Sequence, residues 1–122
     1  MARILVADDE PDVRTIITER LRMAGHEVLC VSNGAKAILK AEDDPVDLAI
    51  LDVRMPGCDG YAVCYVIKNS PKCSKTAVLL MSAFSEEKAK WQLSKADGFL
   101  AKPFETSQLM GEVERLLKAG GQ

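Results

Sequence analysis

The sequence predicts an α/β protein whose parallel sheet is covered by helices on both faces. Short apolar runs alternate five times with longer amphipathic stretches, and each run is flanked by polar or turn residues. Hydrophobic residues make up 48% of the chain and charged residues 28%, as in soluble globular domains. Strand–helix alternation of this kind is typical of a parallel sheet with right-handed crossovers. The 122 residues fit one domain, 1–122.

Five apolar runs predict the strands. Each run is short and nearly continuous, which is the pattern of parallel strands buried on both faces. The predicted strands are residues 4–7, 28–31, 46–51, 77–81 and 99–101.

Five stretches with apolar residues at helical spacing predict the helices. In the first, Ile16 and Ile17 are both expected to face the core, and Gly25 stands where a C-terminal cap belongs. Asp59 and Ser85 are candidate N-caps of the third and fourth helices. The predicted helices are residues 11–24, 34–42, 60–69, 86–94 and 106–118.

The overall charge and composition argue against several classes of partner. The formal net charge is −2, which favours neither nucleic acid nor an anionic membrane. No apolar run reaches the roughly 18 residues of a membrane span, and the N-terminus lacks a signal-peptide pattern, so a cytoplasmic protein is expected. The cysteines match no zinc-binding spacing and are expected to be free thiols. They are Cys30, Cys58, Cys64 and Cys73.

Polar residues stand at the carboxyl ends of the predicted strands, where open parallel sheets carry their functional crevice. Three acids follow the first strand, an acid ends the third, a hydroxyl follows the fourth and a lysine follows the fifth. These residues are Asp8, Asp9, Glu10, Asp52, Ser82 and Lys102.

Together these groups predict a phosphoryl-transfer site. Clustered carboxylates require a cation, and hard oxygen ligands suit Mg²⁺. An aspartate can attack phosphorus to form an aspartyl phosphate, while a lysine and a hydroxyl can hold phosphoryl oxygens. Taken singly, each has an ordinary alternative: Asp8 or Asp9 could cap the first helix, and Ser82 and the Lys102–Pro103 pair could simply form turns.

Four segments carry a resemblance to a known family: ILVADDEP, VDLAILDVRMPGCDGY, VLLMSAF and ADGFLAKPF. In this order and spacing, the chain resembles the bacterial response-regulator receiver family, similar to chemotaxis regulators, over essentially its whole length. The resemblance implies a flavodoxin-like, doubly wound sheet with strand order 2-1-3-4-5 and five helices.

The resemblance also implies roles for the acidic residues. Asp52 looks like the phosphoacceptor and a metal ligand. Asp9 looks like the direct carboxylate ligand of Mg²⁺ or Mn²⁺, and Asp8 like a second acid that acts through water. Arg54 would offer its backbone carbonyl to the same metal.

Further roles follow from the same resemblance. Ser82 looks like the switch hydroxyl, and Lys102 like the cation that stabilises the phosphoryl group. Phe99 looks like the aromatic that turns inward on activation, and Ala83 would keep the pocket open. Lys102–Pro103 is a candidate cis peptide.

Other positions concern the turn before the third helix and the fourth helix itself. Pro56 and Gly57 predict a tight turn that leads from the acceptor to the third helix. Lys95 stands where the family often ends its fourth helix with glycine. Trp91 is interpreted as a packing residue, with an exposed partner anchor as the alternative.

The function implied is that of a phosphoacceptor receiver domain in two-component signalling. It would accept a phosphoryl group on Asp52 from a sensor histidine kinase, a phosphotransfer protein or a small phosphodonor. It would act as a switch that catalyses its own phosphorylation and dephosphorylation, rather than as an enzyme. An output domain or downstream protein would bind through the fourth helix, fifth strand and fifth helix, with no direct nucleic-acid or membrane contact.

Three alternatives remain open from the residues. A haloacid-dehalogenase-type phosphatase would need an acid two residues after its nucleophile, where this chain has Arg54. A flavodoxin-like electron carrier would need a phosphate-binding loop where Asp8, Asp9 and Glu10 stand. A degenerate receiver that only docks proteins would not need the complete set of acceptor, acids, hydroxyl and lysine.

Overall fold

The computed structural model describes residues 1–84, 91 and 94–121. Its elements alternate as predicted, with the fourth predicted helix (86–94) lying largely outside the described residues. The last helix, α4, is therefore the fifth predicted helix. The elements are β1 (Arg3–Ala7), α1 (Pro11–Met23), β2 (Glu27–Val31), α2 (Gly34–Asp43), β3 (Leu48–Asp52), α3 (Gly60–Asn69), β4 (Ala77–Ser82), β5 (Gly98–Ala101) and α4 (Thr106–Gly121).

The five strands form one parallel sheet in the order β2-β1-β3-β4-β5, which confirms the predicted topology. The register aligns the strand ends at one edge. Ala7 pairs with Leu51, the residue before Asp52, and Ser82 pairs with Ala101, the residue before Lys102. Residues that are distant in sequence therefore leave the sheet side by side.

Side chains alternate between two apolar cores, one on each face of the sheet. In β1, Ile4 and Val6 belong to the core beneath α1 and α4, whereas Leu5 and Ala7 belong to the core beneath α2 and α3. All four side chains are fully buried. Because helices cover both faces of the sheet, polar groups gather at the ends of the strands.

The buried face of α1 differs from the prediction. Ile17 and Leu21 are buried as expected, but the prediction for Ile16 was wrong, because that residue is 53% exposed. Thr18 takes the buried position instead, with its Oγ1 2.8 Å from Cys30 Sγ in β2. Helical spacing identifies a face only to within about one position, and a contact across to β2 decides which one is buried.

Several local predictions are confirmed. Gly25 has a φ of 94° just after α1, and Gly57 has a φ of 79° in the turn before α3. Asp59 caps α3 by accepting a hydrogen bond from the Ala62 N–H at 2.8 Å. All four cysteines are free thiols. Each helix in the described part of the chain is too short or too polar to pass through a lipid bilayer.

Candidate functional site

Three charged side chains converge at the carboxyl edge of the sheet. Asp8 follows β1, Asp52 ends β3 and Lys102 follows β5. Lys102 Nζ lies 2.7 Å from Asp8 Oδ2 and 3.2 Å from Asp52 Oδ2, within hydrogen-bonding range of both. Because β4 lies between β5 and β3, the long lysine side chain must extend past the end of β4 to reach both aspartates.

Both aspartates are buried: Asp8 is 0% exposed and Asp52 is 5% exposed. A carboxylate removed from water is strongly unfavourable unless a counter-charge and hydrogen bonds accompany it. Lys102 supplies the charge. The Glu10 N–H donates to Asp8 Oδ1 at 2.9 Å, and Arg14 Nη1 donates to the Asp8 carbonyl at 2.6 Å.

Burial, followed by the charge of Asp8, raises the pKa of Asp52 from 3.8 to about 6. Lys102 and the Arg54 N–H act in the opposite direction without cancelling these effects. Burial by itself would lower the pKa of Lys102, but the hydrogen bond to Asp8 and the two aspartate charges raise it overall. The ammonium is therefore held in its charged form.

The raised pKa of Asp52 predicts a pH-dependent effect on stability. Because the folded protein binds this proton more tightly than the unfolded chain, the associated stability is present below pH 4 and lost as pH rises through about 6. Asp52→Asn should therefore stabilise the protein by about 1–2 kcal/mol at pH 7, after allowance for solvent screening. The gain should shrink toward pH 4.

Urea unfolding of wild type and Asp52→Asn in EDTA, across pH 4 to 7.5, measures this difference. The comparison cancels the contributions of titrating groups that do not interact with Asp52. A difference in unfolding free energy that stays constant over the whole range would contradict the raised pKa.

A third carboxylate joins the site, and it is Glu10 rather than Asp9. Asp8, Glu10 and Asp52 each offer an oxygen, and these oxygens lie within 4.8 Å of one another. Asp9 is exposed and does not belong to this group. Three carboxylates facing one ammonium leave an excess of negative charge. This set of hard oxygen donors fits a divalent cation such as Mg²⁺.

The loops after β3 and β4 meet beside Asp52. The Arg54 N–H points to Asp52 Oδ1 at 3.4 Å, and the Phe84 N–H donates to Ser82 Oγ at 3.0 Å. The Arg54 guanidinium lies over the Phe84 ring, 4.3 Å from its centre. Ser82 is buried, while Ala83 is exposed. The predicted acceptor and the predicted switch hydroxyl thus end neighbouring strands whose following loops are in contact.

Residues in and just after β5 border the site on the side of β4. The Lys102 N–H donates to the Ser82 carbonyl at 2.9 Å, and the Lys102–Pro103 peptide is cis, as the sequence suggested. Phe99 is half-buried and stacks on Trp91, with ring centres 6.3 Å apart. This contact confirms the interpretation of Trp91 as a packing residue.

Gly60 lets the first turn of α3 approach the end of β3. A Cβ at this position would lie 2.6 Å from the Asp52 carbonyl oxygen and 2.9 Å from Val53 Cα, both backbone atoms. Pro56 and Gly57 form the preceding turn, in which the Cys58 N–H donates to the Pro56 carbonyl at 3.0 Å. The turn therefore returns the chain closely against β3.

The sequence assigned no role to two residues of the site. Glu10 was part of the acidic run after β1, so the signal was present, but nothing in the sequence gave the direction of its side chain. Arg14 lies one turn into α1, and its guanidinium returns to the Asp8 carbonyl. No motif marks such a contact.

Comparisons with known proteins agree with this geometry. A family model described as the response regulator receiver domain matches residues 4–114. The chain is 32% identical over 120 residues to the DNA-binding dual master transcriptional regulator RpaA of Synechocystis, covering 97% of the chain and 50% of that protein. It spans about half the length of this and several other curated relatives that it matches.

Solved structures give the same result. The receiver domain of sensor histidine kinase PA1611 from Pseudomonas aeruginosa, with a magnesium ion coordinated in its active site cleft, superposes with a TM-score of 0.88. It is 26% identical, and the match covers 96% of this chain and 98% of that one. Response regulator TrrA of Thermotoga maritima, in complex with Mg²⁺-BeF, has a TM-score of 0.87 at 34% identity, covering 95% and 99%.

Proposed function

The chain belongs to the response regulator receiver domain family, and from that premise we propose that it accepts a phosphoryl group on Asp52 and switches conformation in response. One observation carries the proposal. Asp52 is a buried carboxylate at the carboxyl edge of the sheet, with a second buried carboxylate beside it and the Lys102 ammonium 3.2 Å away. That combination provides a nucleophile, a place for a cation and a fixed positive charge.

The transfer step forms a bond between a carboxylate oxygen of Asp52 and phosphorus, while the bond from phosphorus to the donor atom breaks. The donor is a phosphohistidine on a sensor kinase or phosphotransfer protein, from which the imidazole leaves, or a small acyl phosphate such as acetyl phosphate, from which acetate leaves. Lys102 neutralises the charge on the phosphoryl oxygens. Ser82 supplies a hydroxyl from the adjacent loop, its oxygen already placed by the Phe84 N–H.

A divalent cation, Mg²⁺ or Mn²⁺, belongs to this proposal. Asp8, Asp52 and a third acid, Asp9 or Glu10, would hold it together with the backbone carbonyl of Arg54. When bound, it neutralises charge on the carboxylates and on the transferred group. The excess of carboxylate charge in the site supports its presence.

The switch is a shift between two states rather than a new activity. A phosphoryl group on Asp52 would draw the Ser82 hydroxyl and the loop after β4. The Lys102 N–H is bonded to the Ser82 carbonyl, so movement of that loop reaches β5. Phe99 in β5 would then turn inward, with Ala83 leaving the pocket open.

The surface that changes comprises the fourth predicted helix, β5 and α4, and an output domain or downstream protein would read it. Among the residues that the structure describes, the site offers no evident general base for water, so the protein would lose its own phosphoryl group slowly. We place this signalling in the cytoplasm, where a sensor kinase would present its phosphohistidine.

Incubation with acetyl phosphate and Mg²⁺ should add the mass of one phosphoryl group to the wild-type protein. Intact mass spectrometry measures the product. EDTA should prevent the addition, and Asp52→Asn should remain unmodified, since an amide cannot form an acyl phosphate. Asp43→Asn, on an exposed residue at the end of α2, is the matched control and should be modified like wild type.

Absence of the added mass in wild type, with acetyl phosphate and with phosphoramidate, would contradict the proposal. Equal modification of Asp52→Asn would assign the chemistry to another residue.

A further inference from the structure

The Lys102 ammonium has no spare hydrogen-bond donor. A lysine ammonium carries three N–H groups, and three carboxylates surround this one. Nζ lies 2.7 Å from Asp8 Oδ2, 3.2 Å from Glu10 Oε1 and 3.2 Å from Asp52 Oδ2. The Lys102 side chain is only 11% exposed, which leaves little room for water. A phosphoryl oxygen can therefore reach this ammonium only if one carboxylate leaves it.

The three carboxylates differ sharply in their access to water. The side chains of Asp8 and Asp52 are buried, whereas that of Glu10 is 62% exposed. Release of Asp8 would leave an uncompensated charge away from water, whereas Asp52 carries the phosphoryl group itself and so stays beside the ammonium. Release of Glu10 exchanges the ammonium for solvent, a change that exposed ion pairs undergo with little penalty. Glu10 is thus the partner that separates most easily.

The backbone of Glu10 is held in place while its side chain remains available. Its N–H donates to Asp8 Oδ1 at 2.9 Å, and its carbonyl accepts from the Arg14 N–H at 3.1 Å. Glu10 occupies the N-cap position of α1, yet its side chain makes no capping hydrogen bond. The carboxylate reaches Lys102 instead, from an anchored point at the mouth of the site.

We propose that Glu10 is the exchangeable partner of Lys102: its carboxylate holds one ammonium N–H in the unphosphorylated protein, and an oxygen of the phosphoryl group on Asp52 takes that N–H in its place. This inference rests on the proposed function. Glu10 is then a positioning residue that acts through Lys102. It keeps the ammonium aligned in the absence of the phosphoryl group and opposes the binding of that group.

The test measures affinity for a phosphoryl mimic, beryllium fluoride with saturating Mg²⁺, by isothermal titration calorimetry. Glu10→Gln should bind it about two- to fivefold more tightly than wild type, the range set by an exposed ion pair. Glu10→Asp retains the charge but shortens the side chain by one methylene group. It should also bind more tightly, because contact with Lys102 is lost.

Asp12→Asn is the matched control. Asp12 is an exposed acid in the first turn of α1, two residues from Glu10, and its replacement changes the net charge equally. The affinity of Asp12→Asn for beryllium fluoride should stay at the wild-type value. The fraction of protein phosphorylated by acetyl phosphate, measured by intact mass, should follow the same order. It should be higher than wild type in Glu10→Gln and Glu10→Asp and equal to wild type in Asp12→Asn.

Three results would overturn the inference: unchanged affinity in Glu10→Gln, weaker affinity in Glu10→Gln, or equally tighter affinity in Asp12→Asn. The second would make Glu10 a metal ligand, and the third would reduce its effect to charge alone. Failure of the proposed function looks different. Wild type would then neither bind beryllium fluoride nor gain the phosphoryl mass, and both proposals would fall.

Discussion

Lys102→Met is expected to lower the free energy of unfolding by about 3 kcal/mol at pH 7 in the absence of divalent cations. Methionine keeps the apolar stem of the side chain but removes the charge. Asp8 and Asp52, both buried, would then face each other without the ammonium that now lies within 3.2 Å of each. Loss of one partner from a buried ionic cluster is more damaging than loss of an exposed pair.

Urea unfolding in EDTA measures the loss, with Lys36→Met as the control. Lys36 is an exposed cation on α2, so its replacement should change stability by less than about 0.5 kcal/mol. Millimolar Mg²⁺ should recover more stability in Lys102→Met than in wild type, since a cation would neutralise the same carboxylates. Equal losses in the two variants would show that the ammonium does not stabilise the buried acids.

Gly34→Ala is expected to destabilise the protein by about 2–3 kcal/mol through overpacking. A Cβ at Gly34 would lie 2.0 Å from the Cys58 carbonyl oxygen and 2.8 Å from Cys58 Cβ. The obstructing oxygen belongs to the backbone, so no side-chain rotation relieves the clash. The N-terminus of α2, where Asn33 accepts from the Lys36 N–H at 2.8 Å, would have to move away from the loop before α3.

Gly111→Ala provides a control of opposite sign. Gly111 lies within α4, and a Cβ there would have no heavy atom within 4 Å. Alanine should stabilise the helix by about 0.5–1 kcal/mol. Urea unfolding should show a lower free energy of unfolding in Gly34→Ala and a higher one in Gly111→Ala than in wild type. A Gly34→Ala protein as stable as wild type would mean that the contact with Cys58 relaxes at negligible cost.

Most residues of the site could be predicted from their positions directly after the apolar runs. Parallel strands end at the same edge, so the residues that follow the apolar runs must gather there. Asp8, Asp52 and Lys102 do lie together, although 94 positions separate the first from the last. The sheet order itself came from the resemblance to the receiver family, since alternation alone predicts a parallel sheet but not which strands are neighbours.

The details that the sequence did not predict depend on the direction of a side chain or on how closely two segments approach each other. Ile16 and Thr18 flank Ile17, and only the contact with β2 decides that Thr18 is buried. Asp9 and Glu10 are adjacent, and the course of the backbone after β1 turns Glu10 toward Lys102.

The sequence by itself therefore determined the class of fold, the polar residues that follow the strands and the chemistry that those residue types allow. These depend on periodicity and order along the chain, which are local properties. The tertiary structure alone decided which acid reaches the lysine and where a single methyl group does not fit. Those features depend on distances between segments far apart in sequence, and no local pattern encodes them.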